Sequence, residues 1–206
     1  MTDQVESLPF SLSSRHRPVT CTATTHTMSV FTNPAGRAPE HARAYVEAIL
    51  DLLGDRDPLT VLRDTPAELE RFLTGTLDEV LGKPEAPGKW AMRDVFAHLA
   101  DSDLVWGWRL RLVLAEDRPP LTGYDQDAWA SRLGYADSDP HDSVVLFREL
   151  RKSNLRLIER ATPDDLQRVG IHVERGEESL AHHLRLYAGH DILHLNQLKR
   201  IRQAVE

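Results

Sequence analysis

Leu180-Ala181-His182-His183-Leu184-Arg185-Leu186-Tyr187-Ala188-Gly189-His190-Asp191-Ile192-Leu193-His194-Leu195-Asn196-Gln197-Leu198-Lys199-Arg200-Ile201 is the stretch on which the fold turns. His183, Tyr187, His190 and His194 follow one another at steps of four, three and four, so they share one helical face. Leu180, Leu198 and Ile201 lie on that face too, which predicts a helix from about Ser179 to Val205 with its histidines turned into a bundle. At about 1.5 Å of rise per residue, His190 and His194 stand roughly 6 Å apart along the axis, within reach of one ion. His183 is about 10 Å from His190 by the same rule, too far to join them.

A second histidine-bearing stripe lies upstream. Residues 90–116 read as a helix with apolar groups at Val95, Phe96, Leu99, Val105, Trp106, Leu112 and Val113. His98 falls in line with Ala91, Val95, Ser102 and Val105 and therefore also faces inward. Three inward imidazoles, one from one helix and two at i, i+4 from another, match an open three-ligand divalent metal site. Imidazole suits Zn, Ni, Fe and Cu alike, so spacing does not select among them. The competing account is two or three independent core histidines, each satisfied by hydrogen bonds. His190-Asp191-Ile192-Leu193-His194 also echoes the zincin His-Glu-x-x-His pattern with Asp for Glu, but too little chain follows to supply a third ligand. A di-iron carboxylate bundle needs Glu-x-x-His, and no histidine here has Glu three residues before it.

The remaining periodicity is helical as well. Residues 40–53 carry Ala44, Val46, Ile49, Leu50 and Leu53 and stop at Gly54. A short helix is expected to start at Thr65-Pro66, a cap followed by proline, and to run through Leu69, Phe72 and Leu73 to Gly75. Lys83-Pro84-Glu85-Ala86-Pro87-Gly88 is a loop. After Pro119-Pro120 comes a polar connection with Tyr124 and Trp129. Asp139-Pro140 then opens a helix carrying Val144, Phe147, Leu150, Asn154, Ile158 and Ala161, closed by Thr162-Pro163. A loop with Gly170 and Gly176 leads to the last helix. No period-2 run is long enough for a sheet, so the fold expected is an all-α bundle. Trp106 and Trp108 cannot both face one core, which leaves one of them at an interface or over a pocket mouth.

Composition narrows the function. The 206 residues fit one domain, and 41% hydrophobic residues are enough for a core. One cysteine, Cys21, removes any disulfide framework and any Cys-rich metal site. A net charge of −7 argues against a phosphate-backbone binder. The basic run Lys199-Arg200-Ile201-Arg202 fits a helix C-terminal dipole better than nucleic acid. No stretch is long enough to span a bilayer, and no secretory h-region follows the start, so a cytoplasmic setting is the expectation. Residues 1–33, rich in Ser and Thr and lacking apolar period, are expected to form a loose extension to a helical domain at 34–206, with Met28 an alternative start.

Gly88-Lys89-Trp90 entering Asp94-Val95-Phe96-Ala97-His98-Leu99-Ala100-Asp101, together with Gly189 through Gln197, resembles the DinB/YfiT-like superfamily of metal-dependent four-helix bundles, which is unrelated to the DNA polymerase of similar name. The resemblance spans roughly residues 40–204 and takes in Thr65-Pro66-Ala67-Glu68-Leu69 and Ile171-His172-Val173-Glu174-Arg175-Gly176. It implies an up-down-down-up bundle, one divalent ion on His98, His190 and His194, and a homodimer. Where the family often has Ser or Thr after the tryptophan, this chain has Ala91, which weakens a helix cap and not the metal site. Characterised members include transferases and isomerases that use bacillithiol, mycothiol or glutathione. The resemblance therefore implies a metal-dependent transferase acting on a small molecule with such a thiol. A metal-dependent hydrolase and a non-enzymatic stress-response metal binder are the alternatives.

Roles for neighbours of the three histidines follow from position. Asp94 and Asp101 flank His98 at i−4 and i+3, and Asp101 is the candidate to orient its ring; Asp94 reads rather as an ordinary helix-surface acid. Tyr187, one turn before His190, is a candidate donor to substrate or a packed core residue. Arg109, on the His98 stripe, is a candidate for an anionic substrate group, with an ion pair inside the bundle as the plainer expectation. Of the ten histidines, His16 and His26 fall in the extension, and His41 and His141 near helix starts. His172 falls in the loop before the last helix, and His182 and His183 on that helix beyond reach of the pair.

Overall fold

The computed structural model describes residues 39–206, so the extension expected at 1–33, with Cys21 and Met28, lies outside the described residues. In chain order the elements are α1 (Pro39–Leu53), α2 (Pro58–Thr74), α3 (Asp78–Leu81), α4 (Met92–Ala115), β1 (Pro120–Leu121), α5 (Gln126–Arg132), a 3-10 turn (Tyr135–Asp137), α6 (Pro140–Ile158), α7 (Pro163–Gln167), β2 (Val169–His172), β3 (Gly176–Ser179) and α8 (Leu180–Val205). α2, α4, α6 and α8 form the expected four-helix bundle, with α1 a fifth long helix beside it. α8 packs against α1, α2 and α4, and α6 closes on α2 and α4.

Local chemistry sets the ends of these helices. Asp139 accepts the His141 N–H at 2.7 Å and Pro140 occupies the first helical position, as its sequence predicts. Ser179 accepts the His182 N–H at 3.1 Å and caps α8. α2 differs from expectation: it starts at Asp57-Pro58, where Asp57 accepts the Thr60 N–H at 2.8 Å, and Pro66 lies inside it. An interior proline leaves the carbonyl four residues earlier without its helical donor. That carbonyl belongs to Leu62, and the buried Arg151 guanidinium donates to it at 3.0 Å. The tertiary contact makes good the bond that Pro66 omits.

The connections hold more structure than expected. α3, α5 and α7 are short helices, and Thr162, expected only to end α6, caps α7 through Asp165. The expectation of no sheet is corrected. β1 pairs parallel to β2 (Pro120 with Ile171, Leu121 with His172), and β2 pairs antiparallel to β3 (Val169 with Ser179, His172 with Gly176). Strands of two and four residues are too short to show an alternating pattern.

The apolar core comes in two lobes. One gathers Phe72, Met92, Phe96, Phe147, Leu198 and Ile201; the other gathers Leu62, Trp106, Leu110, Leu121, Leu184 and Ile192. Trp106 is fully buried and Trp108 is exposed, as their two-residue spacing requires. His98, Ser102, Asp103, Arg151, Asn154, Asp191 and His194 are among the polar residues buried on α4, α6 and α8. Among the described residues no helix is long and apolar enough to cross a membrane.

Candidate metal centre

α4 supplies His98 and α8 supplies His190 and His194, and the three rings converge through their Nε2 atoms. His98 Nε2 lies 3.2 Å from His190 Nε2, and His194 Nε2 lies 3.2 Å from the same atom. Among the described residues this is the cluster of His, Cys, Asp or Glu ligand atoms compact enough for an ion, all within 4.8 Å of one another. Tetrahedral zinc with bonds of about 2.0–2.1 Å separates its nitrogens by roughly 3.3 Å. The donor set fits a divalent ion.

The protonation states fit as well. Burial, reinforced by the other two imidazoles, holds His98 well below the ordinary histidine range. Burial and the Arg151 charge lower His190 to about 4, and burial together with His190 lowers His194 to about 3. All three rings are neutral near pH 7, the form that coordinates metals. Gln197 Oε1 lies 2.8 Å from His194 Nδ1. An amide oxygen only accepts, so with that amide orientation Nδ1 carries the proton and the Nε2 lone pair faces the cluster. His98 packs against Trp90 at a tilt, their ring centres 5.0 Å apart, and its buried Nδ1 has no hydrogen-bond partner among the described residues.

The nearby acids all have other commitments. Asp101 accepts the Tyr135 hydroxyl at 2.6 Å, and no hydrogen bond joins it to His98, so it does not orient that ring. Asp94, expected as a surface acid, is half-buried and accepts the Ala91 N–H at 2.8 Å, closing the first turn of α4 where Ala91 cannot cap with a side chain. Asp191 is turned from the histidines on either side of it to Arg151. It takes Arg151 Nη1 at 2.6 Å and Nη2 at 3.1 Å, while Asp103 takes Arg151 Nε at 2.9 Å. Arg151 thus ties α4 to α8 from α6. Nothing local in the sequence marked it, because its partners lie 40 and 48 residues away.

A cleft of about 640 Å³, counting its open mouth, reaches the cluster at His98 and His190. Ser102 Oγ sits 3.3 Å from His98 Nε2 and 2.8 Å from the Tyr124 hydroxyl. Tyr187 lines the cleft, stacks on Trp106 at 4.8 Å, and accepts from Arg109 Nη1 at 3.2 Å. Among the described residues Arg109 has no ion-pair partner, unlike the plainer expectation; its Nη2 donates to the Thr122 carbonyl. His172, expected in a loop, lies on β2, buried and facing the cleft. His183 is buried but outside the cluster, 3.1 Å from Glu178, which also grips Arg175. His41 and His141 are exposed, and His16 and His26 lie outside the described residues.

Comparison with known proteins gives a consistent picture. The sequence pattern of the DinB superfamily matches residues 62–198. YfiT of Bacillus subtilis (strain 168), named as a candidate metal-dependent hydrolase, is 32% identical over 146 residues, 69% of this chain and 82% of YfiT. A Bacillus mycoides (strain KBAB4) protein named in the same way is 30% identical over 169 residues, 81% of this chain and 95% of that one. The solved structure of Bacillus subtilis YfiT, described as an unusual four-helix bundle, matches with a TM-score of 0.65 at 30% identity, covering 72% of this chain and 87% of that chain.

Proposed function

This chain belongs to the DinB superfamily, and from that premise we propose that it is a metal-dependent enzyme transferring a group between a small molecule and a low-molecular-weight thiol. The observation that carries the reading is the convergence of three neutral Nε2 atoms, 3.2 Å apart along two of the edges, beside an open cleft that reaches them at His98 and His190. A divalent ion bound there supplies Lewis acidity that lowers the pKa of a thiol or a water near neutral pH. His98, His190 and His194 would hold it, with Gln197 fixing the tautomer of His194. Ser102 and Tyr124, bonded to each other beside His98, present hydroxyls that can hold or pass a proton at the cleft floor.

The choice of a thiol over water rests on the acids. Hydrolysis calls for a base to take a proton from water, and Asp101, Asp103 and Asp191 are bound to Tyr135 and Arg151. A thiol is acidic enough to ionise without one. The second reading, hydrolysis, is favoured by the names of the relatives.

The test is spectroscopic and kinetic. Protein loaded with cobalt is expected to hold one ion per chain and to change its visible bands on addition of glutathione or cysteamine. His190→Ala is expected to lose both the ion and the bands while keeping its helical circular dichroism. Absence of stoichiometric metal removes the centre. Turnover of an activated ester without thiol, with no spectral response to thiol, replaces the transferase by the hydrolase.

A further inference from the structure

Among the described residues Arg151 and Arg109 are buried and Arg175 is partly so. Arg151 is held by Asp103 and Asp191, and Arg175 by Glu178 through its Nε and Nη2 edge. Arg109 is buried too, at 6% exposure, yet no carboxylate among the described residues lies within ion-pair distance of it. Its partners are uncharged: the Tyr187 hydroxyl and the Thr122 carbonyl. Its Nε is buried with no acceptor at all. A guanidinium kept out of water without a counter-ion is costly, and proteins generally pair it. This one lines the same cleft as His98 and His190.

A second donor faces it. His172 Nδ1 lies 3.2 Å from the Glu174 backbone N–H, which can only donate, so Nδ1 accepts and the ring proton resides on Nε2. Burial and the charges of Arg175 and Arg109 hold His172 at about 3, so the ring is neutral and carries that single proton. His172 Nε2 stands 3.4 Å from Arg109 Nη2. Both atoms carry hydrogens, so this contact is two donors side by side and not a hydrogen bond between them. What would satisfy both is an acceptor bearing negative charge. Glu174 also lines the cleft but makes no ion pair with Arg109.

The placement suits a substrate. Arg109 lies eleven residues after His98 on α4, about three turns on and on the same face. Side chains on a helix lean toward its N-terminus, so the guanidinium leans back toward His98. The Tyr187 ring lies between it and His190, at 6.3 Å from the His190 ring.

We propose that Arg109, with the Nε2–H of His172, forms a carboxylate-binding subsite in the cleft, so that the molecule turned over at the histidine cluster carries an acid group several bonds from its reacting atom. This deepens the metal-enzyme reading above and rests on it for the reaction, though not for the binding. The acid group belongs either to the electrophilic substrate or to the thiol itself.

The probes are 3-phenylpropionate and its uncharged primary amide, titrated calorimetrically into metal-loaded protein. Wild type is expected to prefer the acid by at least about tenfold. Arg109→Gln is expected to bring the two within about twofold of each other, and Arg109→Lys, which keeps the charge, to restore part of the preference. His190→Ala, which removes the metal, is expected to leave the preference in place. Unfolding of Arg109→Gln is checked by circular dichroism, and His172→Phe, expected to weaken the acid alone, serves as the second variant. A preference that survives Arg109→Gln and disappears with His190→Ala puts the carboxylate on the metal and overturns the subsite while leaving the metal centre standing. Equal binding of acid and amide, or binding of neither, also overturns it. Comparing cysteamine with glutathione by the cobalt spectrum then tells the sources apart: an Arg109-dependent advantage for glutathione assigns the acid group to the thiol, and its absence assigns it to the other substrate.

Discussion

Gln197 reaches no metal itself, yet its amide decides which nitrogen of His194 is free to bind one. Gln197→Ala is expected to weaken metal affinity about 10–100-fold, the usual range for loss of such a support, with secondary structure unchanged. Equilibrium dialysis against cobalt reads this directly. Asp191 next to His190 illustrates the opposite case, a residue of ligand type whose work lies elsewhere. Asp191→Ala is expected to lower stability by about 3–5 kcal/mol in urea unfolding, because Arg151 keeps its charge in the interior with only Asp103 left. Helical steps of four set His190 and His194 side by side and turn His98 inward on its own helix, a pattern that suits a metal site and separate core histidines alike, and the family resemblance is what selected the metal. Arg151, His172 and the true partner of Asp101 were not legible, because each depends on a contact across the bundle that no local pattern announces.

Helix seams are tightest where a side chain is missing. A Cβ on Gly189 would lie 2.3 Å from the Ile49 carbonyl oxygen, so α8 meets α1 backbone to side at that point. Gly189→Ala is expected to cost at least about 1–3 kcal/mol in thermal or urea unfolding and to push α1 outward, since a carbonyl cannot rotate away as a side-chain end can. α1 supplies Tyr45, Val46 and Ile49 to the cleft, so the same variant is expected to loosen binding of small molecules there. The helices themselves were legible, most sharply at Asp139-Pro140 and at the start of α8. α2 was misplaced because Thr65-Pro66 looks like a beginning, while Asp57-Pro58 is the one used and Arg151 relieves the proline inside. In the basic run at 199–202, Arg200 pairs with Glu85 and Arg202 lies over the Phe72 ring.

At the scale of the molecule, pH acts through the buried imidazoles. In the folded metal-free chain His172, His190 and His194 sit near 3, 4 and 3, against about 6.5 when unfolded. The unfolded chain therefore binds more protons, and stability present above pH 6.5 is lost as pH falls toward 4. Urea midpoints measured from pH 7.5 to 4.5 are expected to fall through that window, and a flat profile contradicts it. Excess divalent ion is expected to raise the midpoint at pH 7 in wild type and not in His190→Ala. The bundle as a whole was legible from its periodicity. The small sheet was not, and it is the sheet that completes the cleft. β1 leads into Gly123 and Tyr124, and β2 carries His172 and leads into Glu174 and Arg175, so part of the cleft lining comes from residues 119–126 and 169–176, while the three clustered histidines come from α4 and α8. Much of the cleft lining is thus encoded apart from the three histidines, with Arg109 on α4 an exception. Rewriting the two short stretches offers a lineage a new diet at the same nitrogens, much as a lock can be rekeyed without moving the bolt.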